Sequence, residues 1–253
     1  MNHQQVPTEL ARLWRVSAES KRGRPAQIDI DKVVRASVTL ADRSGLAGVT
    51  LPKVAEILGV TKMSLYRHVG SKDELLELMA DHAQGVAPGI VPDPGWRQGL
   101  REWACAIAEV IQRHDWLCDL PQAGPPAGPN STSWLDMGLR QLRDTALDPS
   151  AKVAIIQLLS VHVRSWVMLR RAFDSREQGS GLGQAEIERD YGRNLALLVD
   201  PQRFPDAAAL FTSSVFEPSQ KGHDGELDDD LHFGIELILD GVAVAAEART
   251  DVE

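Results

Sequence analysis

The chain has 253 residues, 43% of them hydrophobic and 25% charged, the ordinary balance of a folded globular protein. That is enough apolar material for a core and excludes global disorder. No stretch of roughly 18 apolar residues runs free of charge, so no membrane-spanning helix is expected. The start, Met1-Asn2-His3-Gln4-Gln5, lacks the basic and apolar stretches of a signal peptide. The two cysteines, Cys105 and Cys118, are too few for a disulfide framework and not spaced as a zinc motif. They read as small buried residues of a protein in a reducing cytoplasm. The net charge of −9 is unevenly spread. Residues 1–75 hold 12 Lys/Arg against 8 Asp/Glu, and the remaining 178 hold 15 against 28. A basic head on an acidic body is the asymmetry expected where one end meets phosphate and the other does not.

Apolar residues recur at spacings of three and four almost throughout, so the chain is expected to be all-α. A short helix is expected around Leu10, Leu13 and Trp14, followed by the polar run Ser20-Lys21-Arg22-Gly23-Arg24-Pro25. Asp29 caps the next helix, with Ile30, Val33, Val34, Val38 and Ala41 as its stripe, and Gly45 stops it near residue 44. Thr50 caps a short helix with Pro52 in its first turn and Val54, Ala55 and Leu58 inward. After the Gly59-Val60 turn, Thr61 caps a helix from Lys62 to about His68 with Leu65 inward. Ser71-Lys72-Asp73-Glu74 is a capping box that launches a fourth helix through Leu75, Leu78, Met79 and His82. A long helix carries Trp96, Leu100, Trp103, Ile107, Val110 and Ile111, and residues 121–130 form a loop by composition. Further helices are expected over 131–146, 149–176, 184–199, 203–214 and 228–248.

Two short helices around a glycine turn, residues 50–69, have the spacing of a helix-turn-helix. Its interior positions are suitably apolar. Lys62, Met63, Ser64, Tyr66, Arg67 and His68 remain outward, a set able to meet phosphates and base edges. The same surface also fits a solvated helix in a bundle. Tyr66 can pack between helices as well as contact a ligand, since its ring is apolar and its hydroxyl is not. Lys21-Arg22-Gly23-Arg24-Pro25 reads either as a basic arm for a minor groove or as a solvated linker.

The wording of the head adds to its spacing. Gly45-Leu46-Ala47-Gly48-Val49-Thr50, Val54-Ala55-Glu56-Ile57-Leu58-Gly59-Val60, Ser64-Leu65-Tyr66-Arg67-His68-Val69 and Ser71-Lys72-Asp73-Glu74-Leu75-Leu76 resemble the tetracycline-repressor (TetR/AcrR) family of bacterial regulators. His114-Asp115-Trp116-Leu117, Gly128-Pro129-Asn130 and Phe233-Gly234-Ile235-Glu236-Leu237-Ile238-Leu239-Asp240-Gly241 resemble its tetracycline-repressor-type C-terminal class. The resemblance implies a homodimer: a three-helix DNA-binding head over residues 27–74, preceded by an extension at 1–26, and an effector-binding and dimerisation body over 75–253. It implies DNA contacts at Thr61, Lys62, Met63, Ser64, Tyr66, Arg67 and His68, and a phosphate contact at Lys72. Leu51 and Pro52 stand where tetracycline repressors proper have polar contact residues, leaving Lys53 for the backbone. Arg22 and Arg24 complete the expected DNA-binding set.

In the acidic body, Trp103, Ile107, Trp134, His162 and Trp166 are the expected ligand-binding residues, although tryptophans at helical spacing are more often simple core. Arg164 is expected to be exposed or to meet a carboxylate or acidic ligand. The aspartates at 228–230 are expected to cap and charge the last helix, since with His223 and His232 they match no metal-ligand spacing. No catalytic motif is present, and neither enzyme activity nor a cofactor is expected. The expected dimer contact is the stripe Leu231, Ile235, Ile238, Val242 and Ala245, paired with 184–199. The expected activity is operator binding to double-stranded, near-palindromic DNA, released by a small molecule that tilts the fourth helix. A ligand-responsive activator or a non-enzymatic binding partner of the same fold is the alternative.

Overall fold

The computed structural model describes residues 6–16, 29–89, 95–121, 127–180, 183–216 and 223–250. In chain order these form α1 (Thr8–Leu13), α2 (Ile30–Gly48), α3 (Leu51–Leu58), α4 (Lys62–Val69), α5 (Lys72–Gln84) and α6 (Trp96–Arg113). A 3-10 turn (Asp115–Asp119) follows, then α7 (Pro129–Gln141), α8 (Pro149–Ser180), α9 (Gln184–Leu198), α10 (Pro205–Phe211), a turn at Ser214–Phe216 and α11 (His223–Thr250). The described residues contain no strand, as the spacing of apolar residues predicts. They fall into two compact units, residues 1–164 with 238–253, and residues 165–237.

The head of the first unit is built as its caps dictate. Asp29 accepts from the Asp31 amide at 3.0 Å, Thr61 from Ser64 at 3.2 Å and Ser71 from Glu74 at 3.1 Å. Gly45 breaks α2 where expected, with φ at +66°, but one further turn continues to Gly48. Gly59, also left-handed, ends α3 and makes the corner that sets α4 across it. Val33, Val34, Val54, Leu65, Val69, Leu75 and Met79 close a shared core, and Trp116 and Leu117 of the 3-10 turn join it. Each such side chain contributes roughly 1.5–3 kcal/mol of burial.

Beyond the head, α6 and α7 bury Leu100, Trp103, Ala104, Trp134 and Met137. Gly138 permits this approach, because a Cβ there would lie 2.6 Å from Ile156 Cδ1 and 3.1 Å from the Trp103 ring. Contrary to expectation, α8 is long and apolar enough by composition to cross a bilayer. In the first unit its apolar residues occupy both a buried set (Ile156, Leu159, Val163) and an exposed set (Val153, Leu158, Val161). Charge-free runs miss such a helix because Lys152 and Arg164 interrupt it. The Arg164 guanidinium donates to the Cys118 and Leu120 carbonyls at 2.7 and 2.6 Å, so it meets backbone oxygens rather than a carboxylate.

In the second unit, Tyr191, Phe211 and Phe216 form an aromatic cluster with centroids 5.4–5.9 Å apart. Gly192 lies against it, since a Cβ would come within 2.6 Å of Phe216. Trp166, Val167, Leu231 and Ile235 are buried. The last helix begins at His223, so the aspartates at 228–230 lie within it and do not cap it.

Candidate nucleic-acid interface

Helix α4 divides by its own period. Leu65 and Val69, four apart, are fully buried in the head core. The remaining positions of the helix are turned outward: Lys62, Met63, Tyr66 and Arg67 are exposed, while Ser64 and His68 are half-buried. Thr61, at the helix start, is exposed beyond its capping bond. Lys53 on α3 and Lys72 at the start of α5 are exposed as well. The structure thus carries the basic and polar side chains of α3, α4 and the first turn of α5 on one small, rigid module. Tyr66 is 42% exposed, with the Lys62 ammonium 6.0 Å from its ring centroid, so its packing is a cation–π contact at the surface and not a seam between helices. Arg22 and Arg24 lie outside the described residues.

The module is joined to the body chiefly through α5. Trp134 of α7 donates its indole N–H to the Gly85 carbonyl at 3.0 Å and to Gln84 at 3.3 Å, so it closes the end of α5. The Asp81 carboxylate accepts from the Ser131 amide at 2.9 Å, in the first turn of α7, and the Asn130 side chain donates to the Asp81 carbonyl at 2.9 Å. Burial pushes the Asp81 carboxyl above the ordinary carboxylate value, and the bonds from Ser131 and Asn130 only partly oppose it. Burial likewise lowers the neighbouring His82 imidazole, with the positive charge of Arg35 adding to the effect. A second joint links α2 to the 3-10 turn: Asp42 accepts from His114 Nδ1 at 2.8 Å and from the Trp116 indole at 2.7 Å. Sequence reasoning noticed His114 and Trp116 as a motif but gave no role to Asp42 or Asp81. A lone acidic residue in an apolar helix stripe, as Asp81 is, was the available signal.

The tryptophans of the body are placed unevenly. Trp103 and Trp134 are brought together, Trp103 donating to the Trp134 carbonyl at 2.9 Å, and both are buried. Ile107 and His162 are half-buried in the same unit. Trp166 belongs to the other unit, where it is buried and carries Arg170 over its ring at 5.6 Å. Sequence reasoning missed Gln141, which is buried against Gly99 and donates to the Met137 carbonyl at 3.3 Å. Its side-chain oxygen has no hydrogen-bond partner among the described residues. Among those residues no group of three or more His, Cys, Asp or Glu could hold a metal.

Comparison with known proteins follows this division of the chain. Residues 33–79 match the family model for bacterial regulatory proteins of the tetR family, and residues 89–246 match the tetracyclin repressor-like C-terminal domain. The HTH-type transcriptional repressor DrrR1 of Streptomyces coeruleorubidus is 31% identical over 246 residues, covering 96% of this chain and 88% of that protein. The HTH-type transcriptional repressor Rv1353c of Mycobacterium tuberculosis is 25% identical over 229 residues, 87% of this chain and 82% of its own length. The crystal structure of the Streptomyces coelicolor TetR family protein ActR in complex with actinorhodin has the same fold, with a TM-score of 0.69 at 23% identity, over 87% of this chain and 98% of that one.

Proposed function

Because the chain belongs to the tetR family of bacterial transcriptional regulators, we propose that it is a cytoplasmic repressor that binds its operator as a homodimer and leaves it on binding a small molecule. The observation that carries the DNA-reading role is the division of α4: Leu65 and Val69 buried, and Lys62, Met63, Tyr66 and Arg67 outward. Lys62, Met63, Ser64, Tyr66, Arg67 and His68 read base edges and nearby phosphates, and Thr61, Lys53 and Lys72 hold the backbone. Residues 27–74 are the head, and 75–253 the effector-binding and dimerising body. The repressor DrrR1, to which the chain is similar, supports the sign of regulation.

The dimer contact we propose lies on α11, on a different face from the one its apolar spacing first picks out. Of the expected stripe, Leu231, Ile235 and Val242 are buried within the chain and unavailable to a partner, while Ile238 is half-buried and Ala245 exposed. Phe233, Leu237 and Val244 are 66%, 56% and 68% exposed, and with Gly241 they repeat at spacings of four, four and three. A helix apolar on two faces has more to bury than its own chain covers. Gly241 has open space around it, which lets a partner helix approach closely. The apolar side chains Leu197 and Leu198 on α9 are exposed as well. A two-fold axis then sets the recognition helices about 34 Å apart and requires a near-palindromic site.

For release, the hydrogen bonds run from Trp103 through the Trp134 backbone and indole to the end of α5, and so to the head. A small molecule acting beside Trp103, Ile107, Trp134 and His162 tilts α5 if it binds the two arrangements unequally. The Gln141 oxygen, which has no partner among the described residues, is where a donor on that molecule gains most. Trp166 belongs to the second unit and is left out of this set. That ActR was crystallised with actinorhodin supports a ligand-binding body on this fold. A gel shift with the DNA upstream of its own gene is the test. Retention of that duplex over a scrambled one is the expected result, and equal retention overturns the reading.

A further inference from the structure

The segment before the head, residues 6–16, lies outside both family models, which begin at residues 33 and 89. Its helix α1 has six residues, too few to persist alone in water, so tertiary contacts must hold it. Leu13 is buried in the head core. The Arg12 guanidinium pairs with Glu74 of α5 and donates to the Val69 carbonyl, the last residue of α4, at 3.4 Å. This pair sits on the corner between α4 and α5, where Gly70 has φ at +76° and a Cβ would come within 2.4 Å of Arg12. Arg15 pairs with Asp31 at the start of α2 at 2.8 Å. Between them, Trp14 donates its indole N–H across 113 residues to the Ala127 carbonyl at 2.7 Å, just ahead of α7.

The end of α1 is shaped to make this possible. Arg15 takes the left-handed conformation, φ +54°, and the Arg15 and Val16 amides donate back to Arg12 and Ala11. That is a helix stop normally given to glycine, here carried by an arginine whose side chain is held by Asp31. Trp14 is 46% exposed, so burial does not explain its position and the Ala127 bond does.

We propose that residues 6–16 are a latch that fixes the recognition helix against the effector-binding body, with Arg12 and Trp14 as its positioning residues. Arg12 and Arg15 grip the head at the α4–α5 corner and at α2, and Trp14 grips the body at the entry to α7. The latch therefore runs alongside α5, the other connection, and limits the angles that α5 lets the head adopt. In a dimer, those angles set the separation of two recognition helices, so the latch sharpens the protein's preference for one spacing of half-sites. This consequence rests on the operator-binding dimer proposed above.

Two variants leave Leu13 and every basic side chain in place: Trp14→Phe removes the indole N–H, and Glu74→Gln removes the carboxylate that Arg12 grips. Hydrogen-exchange mass spectrometry on the full chain without DNA reads the latch directly. Exchange over residues 62–84 should rise about threefold or more in the double variant, as expected when a local opening becomes easier. Fluorescence anisotropy then compares the operator with a version carrying one extra base pair between half-sites. The double variant should lose about fivefold of that discrimination, the lower end of ordinary coupling between sites. Unchanged exchange overturns the latch, and so does a lowered melting temperature with discrimination intact. Failure of the unaltered chain to prefer its operator overturns the proposed function instead, and the exchange result still decides whether residues 6–16 hold head to body.

Discussion

Asp81 is the residue at which the joint between head and body can be tested most sharply. It is buried, one oxygen accepts from the Ser131 amide at 2.9 Å, and the backbone at Gly128 packs so closely that a Cβ there would reach within 2.0 Å of that oxygen. Burial raises its pKa above the ordinary 3.8. A carboxyl whose folded pKa is raised favours the folded state fully below the unfolded value, and that contribution is lost as pH rises through the folded value. The ionised group therefore costs stability near pH 7. Asp81→Asn keeps an acceptor for Ser131 and removes the charge. It should melt at or above the unaltered protein at pH 7, and the gap should narrow as pH falls toward about 4. Asp81→Ala leaves the part-buried Ser131 amide without its partner, at a cost of about 1–3 kcal/mol. For a chain of this size that lowers the melting temperature by roughly 2–4 °C per kcal/mol. Circular dichroism melts at pH 4 and pH 7 measure both. If Asp81→Asn falls as far as Asp81→Ala at pH 7, or if its advantage does not shrink on acidification, the carboxylate is a needed charge at the α7 terminus and burial is not its dominant influence.

The head was legible in the sequence because its signals are local. Asp29, Thr61 and Ser71 cap where a side-chain oxygen two or three residues ahead of an amide must cap, and Gly59 turns where only a left-handed residue turns cheaply. The outward set on α4 followed from Leu65 alone, since one buried position fixes the phase of a short helix. What stayed hidden depends on distant partners. The 113 residues between Trp14 and Ala127, the 74 between Asp42 and Trp116 and the 50 between Asp81 and Ser131 leave no local periodicity. On α11 periodicity itself misled. Both Leu231-Ile235-Val242 and Phe233-Leu237-Val244 repeat like a helix face, and nothing in the spacing says which one its own chain covers. Arg164 shows the same limit for charge, because backbone carbonyls of Cys118 and Leu120 are partners that no sequence pattern announces.

Three further outcomes separate the roles assigned here. Lys72→Ala should weaken binding to all duplexes alike and lower the salt slope by roughly one, whereas Arg67→Ala should change the preference between operators by about 1–3 kcal/mol; equal losses on operator and scrambled DNA for both refute base reading by Arg67. Leu237→Lys, on the exposed face of α11, should give monomers by sedimentation velocity at micromolar concentration with the circular dichroism spectrum unchanged, and a dimer that survives it places the contact elsewhere. Gln141→Met tests the effector site. The swap nearly preserves volume and removes an oxygen that has no partner among the described residues, so the melting temperature should hold or rise, because an unsatisfied buried acceptor costs about 1–3 kcal/mol. Operator affinity should be unchanged, since Gln141 packs against Gly99 of α6 and bonds to Met137 of α7, both in the body. If a donor on the effector bonds that oxygen, release by whichever small molecule dissociates the unaltered protein from its operator should need about tenfold more of it, the loss of one hydrogen bond of about 1.4 kcal/mol. A variant that melts higher and releases at the same concentration shows the oxygen to be a packing defect and moves the effector away from α7.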